Sequence, residues 1–145
     1  MTREYKRPES VLVLVYTAAG EVLMLRRTQP RQWWQSVTGS LEWNESPRQA
    51  AERELFEETG LYGAGRLVDR HHSERFPIIH PWRKRYGPGA HYNREHWFSL
   101  LLPGRRIIRL NDGEHTELRW LPVTQAARLA TSWTNRDAIL SLQHV

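Results

Sequence analysis

The feature that most constrains how this chain folds is one helix with clear signals at both ends. Ser46 precedes Pro47, and Gln49 stands three residues after Ser46. This is the pattern of an N-cap residue, a proline at the first helical position and a capping-box partner. Gly60 directly follows a Glu-Glu-Thr run, at a place where helices often end on a left-handed residue. The sequence therefore predicts a helix over residues 47–59, with a glycine-containing loop before it.

The charges on this helix predict a site for a divalent cation. Glu54, Glu57 and Glu58 stand at positions i, i+3 and i+4, so their carboxylates share one helix face and repel one another. A hard cation such as Mg²⁺, or Mn²⁺ in its place, would remove this repulsion by binding the carboxylate oxygens. Arg53 lies four residues before Glu57 and can hold that carboxylate in place. The alternative is an acidic face that contacts only solvent.

The residues around this helix resemble the signature of the Nudix hydrolases. Every fixed position of that signature is filled in a box over residues 39–61, in the order Gly39, Glu45, Arg53-Glu54-Leu55, Glu57-Glu58 and Gly60-Leu61. The resemblance implies an α/β protein with the Nudix fold, an α/β/α sandwich built on a mixed β-sheet. It also implies that the Gly39 carbonyl joins the box glutamates as a metal ligand. A glutamate from a later loop would complete the cluster; Glu114 fits that position best, and Glu117 is the fallback.

Composition favours one soluble globular domain over residues 1–145. Of the 145 residues 39% are hydrophobic, and no apolar run approaches the roughly 20 residues that span a bilayer. The N-terminal segment lacks the apolar region of a signal peptide, and no cysteine is present for a disulfide or a thiolate zinc site. A cytoplasmic enzyme is the simplest interpretation. The formal net charge of +5 would attract phosphates, on a small molecule or on nucleic acid. The sequence carries no signal for an oligomeric state.

The remaining elements follow from apolar runs and turn residues. A hairpin of two strands precedes the acidic helix, and further strands and two helices follow it. The predicted strands cover residues 10–16, 21–27, 36–38, 95–102 and 118–121, with two short strands around a mobile loop over 76–92. The later helices are predicted over residues 122–130 and in the C-terminal segment, where Asn135 or Thr134 would be the N-cap.

Several basic residues outside the box are candidates to hold phosphates. Arg26 and Arg27 end the second strand beside the loop that leads into the box. Lys6 and Arg85 are further cations of this kind, the second within a dense basic run. For each of them the alternative is a solvated side chain with no role in binding.

Candidates to hold the organic part of a substrate lie in two segments. Trp33 and Trp34 are adjacent, so in an extended segment they point to opposite faces. One would pack in the core and the other would stack on a flat heterocycle; the pattern does not separate them, and Trp34 is the predicted stacking residue. Asn135 and Arg136 lie at the start of the last helix, where an N-terminus favours an anion or a polar ligand edge.

Histidines are not predicted to bind the metal. Six of them lack a convincing metal-ligand spacing, so each is predicted to be a surface or structural residue, namely His71, His72, His80, His91, His96 and His115.

Four further segments resemble one group within this family, the bacterial dihydroneopterin triphosphate pyrophosphatases. They are YKRP at 5–8, WQSVTGS at 34–40, RYGPG at 85–89 and SWTNRDAI at 132–139. This narrower resemblance implies Mg²⁺-dependent hydrolysis of a phosphoanhydride in dihydroneopterin triphosphate, which gives the monophosphate and pyrophosphate in folate biosynthesis. One of the box glutamates, or Glu114, would take the proton from water, and Arg53 would orient the glutamates.

Two alternatives to this function are compatible with the sequence. A Nudix hydrolase of this size and charge could act on dNTPs, dinucleoside polyphosphates or the 5′-triphosphate end of RNA. A non-catalytic Nudix domain could bind RNA or a nucleotide through its basic surplus. The intact set of glutamates argues against the second alternative, because a binding module has no need for a charged metal cluster.

Overall fold

A computed structural model describes residues 5–79 and 82–144 of the chain, and within them lie seven strands and three α-helices. His80, one of the six histidines considered above, lies outside the described residues. The strands are β1 Glu9–Thr17, β2 Glu21–Arg27, β3 Trp34–Gln35, β4 Val37–Ser40, β5 Val68–Pro77, β6 Tyr92–Leu102 and β7 His115–Pro122. The helices are α1 Pro47–Thr59, α2 Val123–Leu129 and α3 Trp133–Ser141, with 3₁₀ turns at Trp82–Arg85 and Leu142–His144.

The seven strands form one mixed sheet around β1. β1 runs parallel to β6 over its whole length and antiparallel to β4. β5 continues the sheet beyond β6 in the antiparallel sense, with an irregular register between Asp69 and Ser73. On the other side β2 follows β1 through a hairpin and pairs antiparallel with β3 and β7. The predicted mixed α/β sheet is therefore confirmed.

Alternate residues of β1 point into two separate cores. Val11, Val13 and Val15 pack with α1, in a cluster that includes Leu55. Leu12 and Leu14 point the other way and pack with α2 and α3, in a cluster that includes Ile139. Because side chains alternate across a strand, an unbroken apolar run is what a strand between two helical layers requires. The predicted α/β/α sandwich is confirmed.

The acidic helix begins and ends where its sequence signals predict. The Ser46 side chain accepts a hydrogen bond from the Gln49 backbone N–H, and the Gln49 side chain accepts one from the Ser46 backbone N–H. Pro47 is the first helical residue, and Gly60 ends the helix with φ 78°, in the left-handed region. Ala50, Ala51 and Leu55 are buried against the sheet. This face fixes the rotation of α1 and therefore the direction in which its glutamates point.

The C-terminal half differs from the prediction in some details. The N-cap of α3 is Ser132, whose side chain accepts from the Asn135 N–H, and not Asn135 or Thr134. Asn135 is unavailable because its own amide group is bonded to Ser36, a residue distant in sequence. The segment over 76–92 contains the ends of two long strands and a 3₁₀ turn, in place of two short strands. Among the described residues, no helix is both long and apolar enough to cross a membrane.

Candidate active site

A cleft of about 1020 Å³ lies over the sheet on the side that faces α3. Its floor includes Ser10 and Leu12 of β1 and Asn93 and Glu95 of β6. The loop before β3, the 3₁₀ turn after β5 and the start of α3 supply its walls. Glutamates of α1 and of the loop before β7 also line it, so the acidic helix faces the same space as the cations described below.

Two box glutamates meet at this cleft in a strained electrostatic arrangement. Burial raises the pKa of Glu58 well above its usual range, and repulsion from the Glu54 carboxylate adds to the shift. Burial likewise raises the pKa of Glu54, although a hydrogen bond from Arg53 opposes this. Gly39 of β4 lies directly against Glu54, and a Cβ atom at Gly39 would overlap that carboxylate. A glycine is therefore needed at this position if Glu54 is to turn toward the cleft.

A buried histidine and a loop glutamate join this pair. One carboxylate oxygen of Glu58, Oε1, has no hydrogen-bond partner within the described residues although it is fully buried. It lies 3.8 Å from Nε2 of His115. One possible ligand atom from each of Glu58, Glu114 and His115 falls within 4.8 Å of the other two. Burial lowers the pKa of His115 to about 4, and the positive charge of Arg27 adds to the effect, so the imidazole is neutral near pH 7.

Arg53 ties the glutamates together. Its guanidinium donates two hydrogen bonds of 2.8 Å to the Glu45 carboxylate, one to each oxygen. It also donates to Glu54 at 3.1 Å, to Glu57 at 3.2 Å and to the Ser40 carbonyl at 3.1 Å. The bidentate bond to Arg53 is the main reason that the pKa of Glu45 is lowered. One side chain thus holds three carboxylates and the strand that carries Gly39 in a fixed relation.

These residues fit a divalent cation. The orphaned Glu58 oxygen, the mutual repulsion of Glu54 and Glu58 and the carboxylate Glu114 together form an oxygen-rich group whose charge a cation would neutralise. The neutral His115 adds a nitrogen donor, which Mn²⁺ accepts more readily than Mg²⁺. Glu57 is half-exposed, is held by Arg53 and does not line the cleft. The sequence spacing gave no reason to expect His115 here, because the carboxylate that it approaches, Glu58, lies on α1 and is far from it in sequence.

Three cations, Lys6, Arg27 and Arg85, line the same cleft as the acidic cluster. Burial lowers the pKa of Lys6, and the charge of Arg85 lowers it further; burial and Arg85 lower the pKa of Arg27 in the same way. No ion pair joins these three cations to a carboxylate in the part of the chain that the structure describes. Like charges held together without carboxylate partners form a site for a polyanion.

The structure separates the adjacent tryptophans but reverses the predicted assignment. Trp34 is only 7% exposed, packs in the core with α2 and α3 and does not line the cleft, which contradicts its prediction as the stacking residue. Trp33 lines the cleft and meets Trp82 edge-on, with ring centroids 5.8 Å apart. The side chain of Trp34 is drawn inward because the strand at this point lies under α3. Trp33 is therefore the candidate for stacking.

Three other residues predicted to bind substrate have side chains that are bonded to groups of the protein. Arg26 points away from the cleft and bonds to the Arg31 carbonyl and to Glu117. Arg136 is exposed and pairs with its neighbour Asp137. Asn135 lines the cleft, but its side-chain oxygen accepts from the Ser36 N–H and its nitrogen donates to the Ser36 hydroxyl, so it joins α3 to the strand. Glu117, the fallback for Glu114, is paired with Arg26 and Arg119 instead.

Glu95 and Asn93 are residues of the cleft that the sequence did not single out. Both lie in β6, which was predicted as a strand from residue 95 onward, and both are more than nine-tenths buried. Burial raises the pKa of Glu95 to about 7. The available signal was a polar residue at every second position before the apolar half of the strand, on the face that Trp97 continues. On this face of β6 the side chains are polar where the strand forms the cleft floor and apolar where it enters the core.

Comparisons with known proteins agree with this geometry. The family model for the NUDIX domain matches residues 6–142. The chain is 43% identical over 139 residues to the dihydroneopterin triphosphate diphosphatase of Escherichia coli, covering 93% of this chain and 91% of that protein. It is 36% identical over 140 residues to the Haemophilus influenzae protein of the same description, covering 94% and 87%. The solved structure of the E. coli dihydroneopterin triphosphate pyrophosphohydrolase superposes with a TM-score of 0.89, at 42% identity, covering 96% of this chain and 97% of that one.

Proposed function

Because this chain belongs to the Nudix family, we propose that it is a pyrophosphohydrolase that converts dihydroneopterin triphosphate to dihydroneopterin monophosphate and pyrophosphate. The observation that carries the proposal is that one cleft holds both a carboxylate cluster with an orphaned oxygen and three cations that form no ion pair within the described residues. A triphosphate chain between them would meet charge of the opposite sign on one side and a metal-binding cluster on the other. Both relatives reported above are named for this substrate.

The residues fit a bound divalent cation, with Mg²⁺ the proposed ion and Mn²⁺ a competent substitute. Glu54, Glu58 and Glu114 would hold it, and the Gly39 carbonyl and Glu57 are further candidates. When bound, such a cation neutralises phosphate charge and lowers the pKa of a water molecule. Divalent cations of this kind suit the carboxylate oxygens that the cluster offers.

The protein's own side chains would bind and orient the reacting groups. Lys6, Arg27 and Arg85 would hold the triphosphate with charge-assisted hydrogen bonds. Water would attack phosphorus in the first anhydride, forming a new P–O bond as the bond to the pyrophosphate oxygen breaks. A box carboxylate, Glu54 or Glu57, or the loop carboxylate Glu114 would accept the proton of that water. Trp33 would stack on the organic ring.

Arg53 would act through the glutamates and not on the substrate. Its bonds to Glu45, Glu54 and Glu57 hold these carboxylates at fixed distances from one another. Carboxylates that bind metals need such support, because their orientation decides which lone pair faces the ion. We propose that Arg53 is the positioning residue of the site.

We also propose a single domain over residues 1–145 and a cytoplasmic location. One sheet collects strands from residue 9 to residue 122, and both later helices pack on it. The absence of cysteine agrees with a reducing compartment.

A substrate panel tests the proposal. Purified protein with Mg²⁺ is given dihydroneopterin triphosphate, the four dNTPs, GTP, a diadenosine polyphosphate and a 5′-triphosphate RNA, and pyrophosphate and phosphate are measured separately. We expect preference for the pterin compound with release of pyrophosphate. Preference for another substrate would leave the Nudix chemistry and reject the pterin assignment. Salt-sensitive RNA binding without turnover of any compound would reject the enzyme.

Replacing Glu57 with Gln tests the role of the box carboxylates. Glu57→Gln removes a charge at a half-exposed position, so the fold should be retained while most of the turnover is lost. Circular dichroism checks the fold, and pyrophosphate release measures kcat. Glu52→Gln, on the same helix but outside the signature, is the matched control and should retain wild-type turnover. Normal turnover of folded Glu57→Gln protein would exclude a catalytic role for Glu57.

A further inference from the structure

The floor of the cleft carries a polar pair that phosphate hydrolysis does not use. Glu95 and Asn93 lie two residues apart on β6, so their side chains leave the strand on the same face. Both line the cleft, and they are 6% and 3% exposed. Neither belongs to the box or to the cationic group. Buried polar groups at the bottom of a cleft are the ones that decide which ligand edge can enter it.

Glu95 is a buried carboxylate that accepts hydrogen bonds only from neutral donors. The Trp97 indole N–H donates to its Oε1 at 3.1 Å, and the Thr134 hydroxyl supplies a second hydrogen bond. No Lys, Arg or His forms an ion pair with Glu95 among residues 5–79 and 82–144. A carboxylate has about four lone-pair positions, so two or so stay available for further donors. A buried carboxylate in this state gains from any N–H donor that a ligand brings.

Asn93 offers an acceptor beside it. Its Nδ2 donates to the Ser10 hydroxyl at 2.8 Å, which fixes the orientation of the amide. Its Oδ1 is buried and has no hydrogen-bond partner within the described residues. A buried carbonyl oxygen without a partner is uncommon, because it has lost its water without gaining a donor. The pair therefore presents acceptors on one face of β6.

The walls beside this pair are aromatic. Trp33 and Trp133 line the cleft, and Trp82 meets Trp33 at its edge. Flat rings at the sides and acceptors on the floor suit a planar heterocycle that enters edge-first. The edge of the heterocycle that contacts the cleft floor must carry hydrogen-bond donors, because acceptors on that edge would face the oxygens of Glu95 and Asn93.

We propose that Glu95, assisted by Asn93, binds the donor edge of a 2-amino-4-oxo pyrimidine ring, that is, its exocyclic amino group and the adjacent ring N–H. This edge is present in pterins and in guanine, and it is absent from adenine, uracil and lumazine. The inference rests on the proposed function and deepens it, because it assigns the choice of ring to the cleft floor and the hydrolysis to the carboxylate cluster. Glu95 is then a specificity-determining residue that contacts the substrate.

Binding of ring-only ligands tests this assignment without any turnover. We would measure dissociation constants of dihydroneopterin and of its lumazine counterpart, in which oxygen replaces the 2-amino group. The measurement is made by calorimetry without added metal at pH 8, above the pKa of Glu95, so that both carboxylate oxygens are acceptors. The wild-type protein should prefer the pterin by roughly 10- to 100-fold, the size of a charge-assisted hydrogen bond. In Glu95→Gln the preference should fall to within about threefold, because the amide offers one acceptor oxygen where the carboxylate offers two.

Glu21→Gln is the matched control. Glu21 begins β2, pairs with Arg105 and does not line the cleft, so this variant should keep the wild-type preference. If Glu95→Gln does not fold by near-ultraviolet circular dichroism, Glu95→Asp replaces it, since the shorter side chain keeps the charge and withdraws the acceptors. Equal affinity of wild-type protein for both ligands overturns the proposal, as does no binding of either at millimolar concentration. An unchanged preference in folded Glu95→Gln protein also overturns it.

The two proposals fail in distinguishable ways. Protein that binds the pterin selectively but does not hydrolyse dihydroneopterin triphosphate would contradict the proposed function and support the ring assignment. Protein that hydrolyses the triphosphate with its preference for the pterin ring unaffected by Glu95→Gln would do the reverse.

Discussion

At the scale of single residues, Arg53 is the side chain on which most of the site depends. Its guanidinium reaches Glu45, Glu54 and Glu57 together with the backbone of β4. Only a planar side chain with donors in several directions can serve all of these acceptors at once, and a lysine ammonium cannot do so from one position. The loss of Arg53 should therefore weaken metal binding by these carboxylates, and the effect on turnover should be largest at low Mg²⁺ concentration.

We expect Arg53→Ala to lower turnover by roughly 10- to 100-fold at limiting Mg²⁺, with a smaller loss at saturating Mg²⁺. The physical reason is that three carboxylates lose their shared support and the cluster binds the ion in fewer productive arrangements. Titration of activity against Mg²⁺ concentration measures the effect. Arg105→Ala, which breaks an exposed pair with Glu21, should have wild-type metal dependence. Wild-type activity of Arg53→Ala at limiting Mg²⁺ would refute the positioning role.

Glu95 makes a separate prediction about stability. Burial raises its pKa to about 7 in the folded protein, from 4.5 in the unfolded chain. The folded state thus keeps a proton that the unfolded chain loses above pH 4.5, so the stabilisation is present at low pH and is lost as the pH rises to 7. Relative to Glu95→Gln, the wild-type free energy of unfolding should fall by up to about 3 kcal/mol over this window. Urea unfolding of both proteins at pH 4.5, 6, 7 and 8 measures this, and a difference that stays constant with pH would contradict it.

At the scale of elements, α1 was predictable to the residue because its signals are local. Ser46, Pro47 and Gln49 define its start, and Gly60 its end, without reference to the rest of the chain. The start of α3 was not predictable in the same way. The sequence offers several capping residues in a row, and Ser132 is the cap because the amide of a competing residue is bonded to Ser36 across the molecule. A choice decided by a contact between residues 99 positions apart is not visible in a window of sequence.

The capping box of α1 can be tested as a unit. Ser46→Ala should lower the free energy of unfolding by about 1 kcal/mol, because one N–H at the helix start loses its acceptor. Gln49→Ala should lower the free energy of unfolding by a smaller amount. Because the two side chains bond to each other's backbone, their effects should not add, and the double variant should be more stable than the sum predicts. Chemical denaturation of the four proteins gives the coupling energy; a coupling of zero would show that the reciprocal bonds do not act together.

At the scale of the whole molecule, the same distinction separates the parts of the site that were predictable from those that were not. The box glutamates and Arg53 follow from spacing along one helix. Trp33, Glu95 and Asn93 depend on which face of a strand lies beneath α3, and that is settled by pairings between distant strands. Adjacent residues such as Trp33 and Trp34 differ only in that face. The sequence pattern predicts that adjacent side chains point to opposite faces of a strand, and the fold decides which of the two faces the cleft.

The two cores should respond independently to mutation. Leu55 packs between α1 and the sheet, and Ile139 packs between α3 and the opposite face. Leu55→Ala should lower the free energy of unfolding by about 2 to 5 kcal/mol, and Ile139→Val should lower it by about 0.5 to 1.5 kcal/mol. Because β1 separates the two sites, the double variant should equal the sum within about 0.5 kcal/mol. Denaturant unfolding of the three variants checks this, and a larger deviation would mean that the sheet transmits packing defects between its faces.

The unbroken apolar run of β1 has a consequence for how a molecule with β1 in the wrong register would be detected. Valines point to one core and leucines to the other, so sliding the strand by one residue would exchange them and still bury aliphatic side chains on both faces. The feature that such a slip would destroy is the position of Ser10, which orients Asn93 on the cleft floor. A slipped molecule would keep much of the native helix content, would lose some stability because valines and leucines would be exchanged between packed cores, and would lose the oriented acceptor at the ligand site. A measurement of helix content alone would therefore miss a population that a binding assay would reveal.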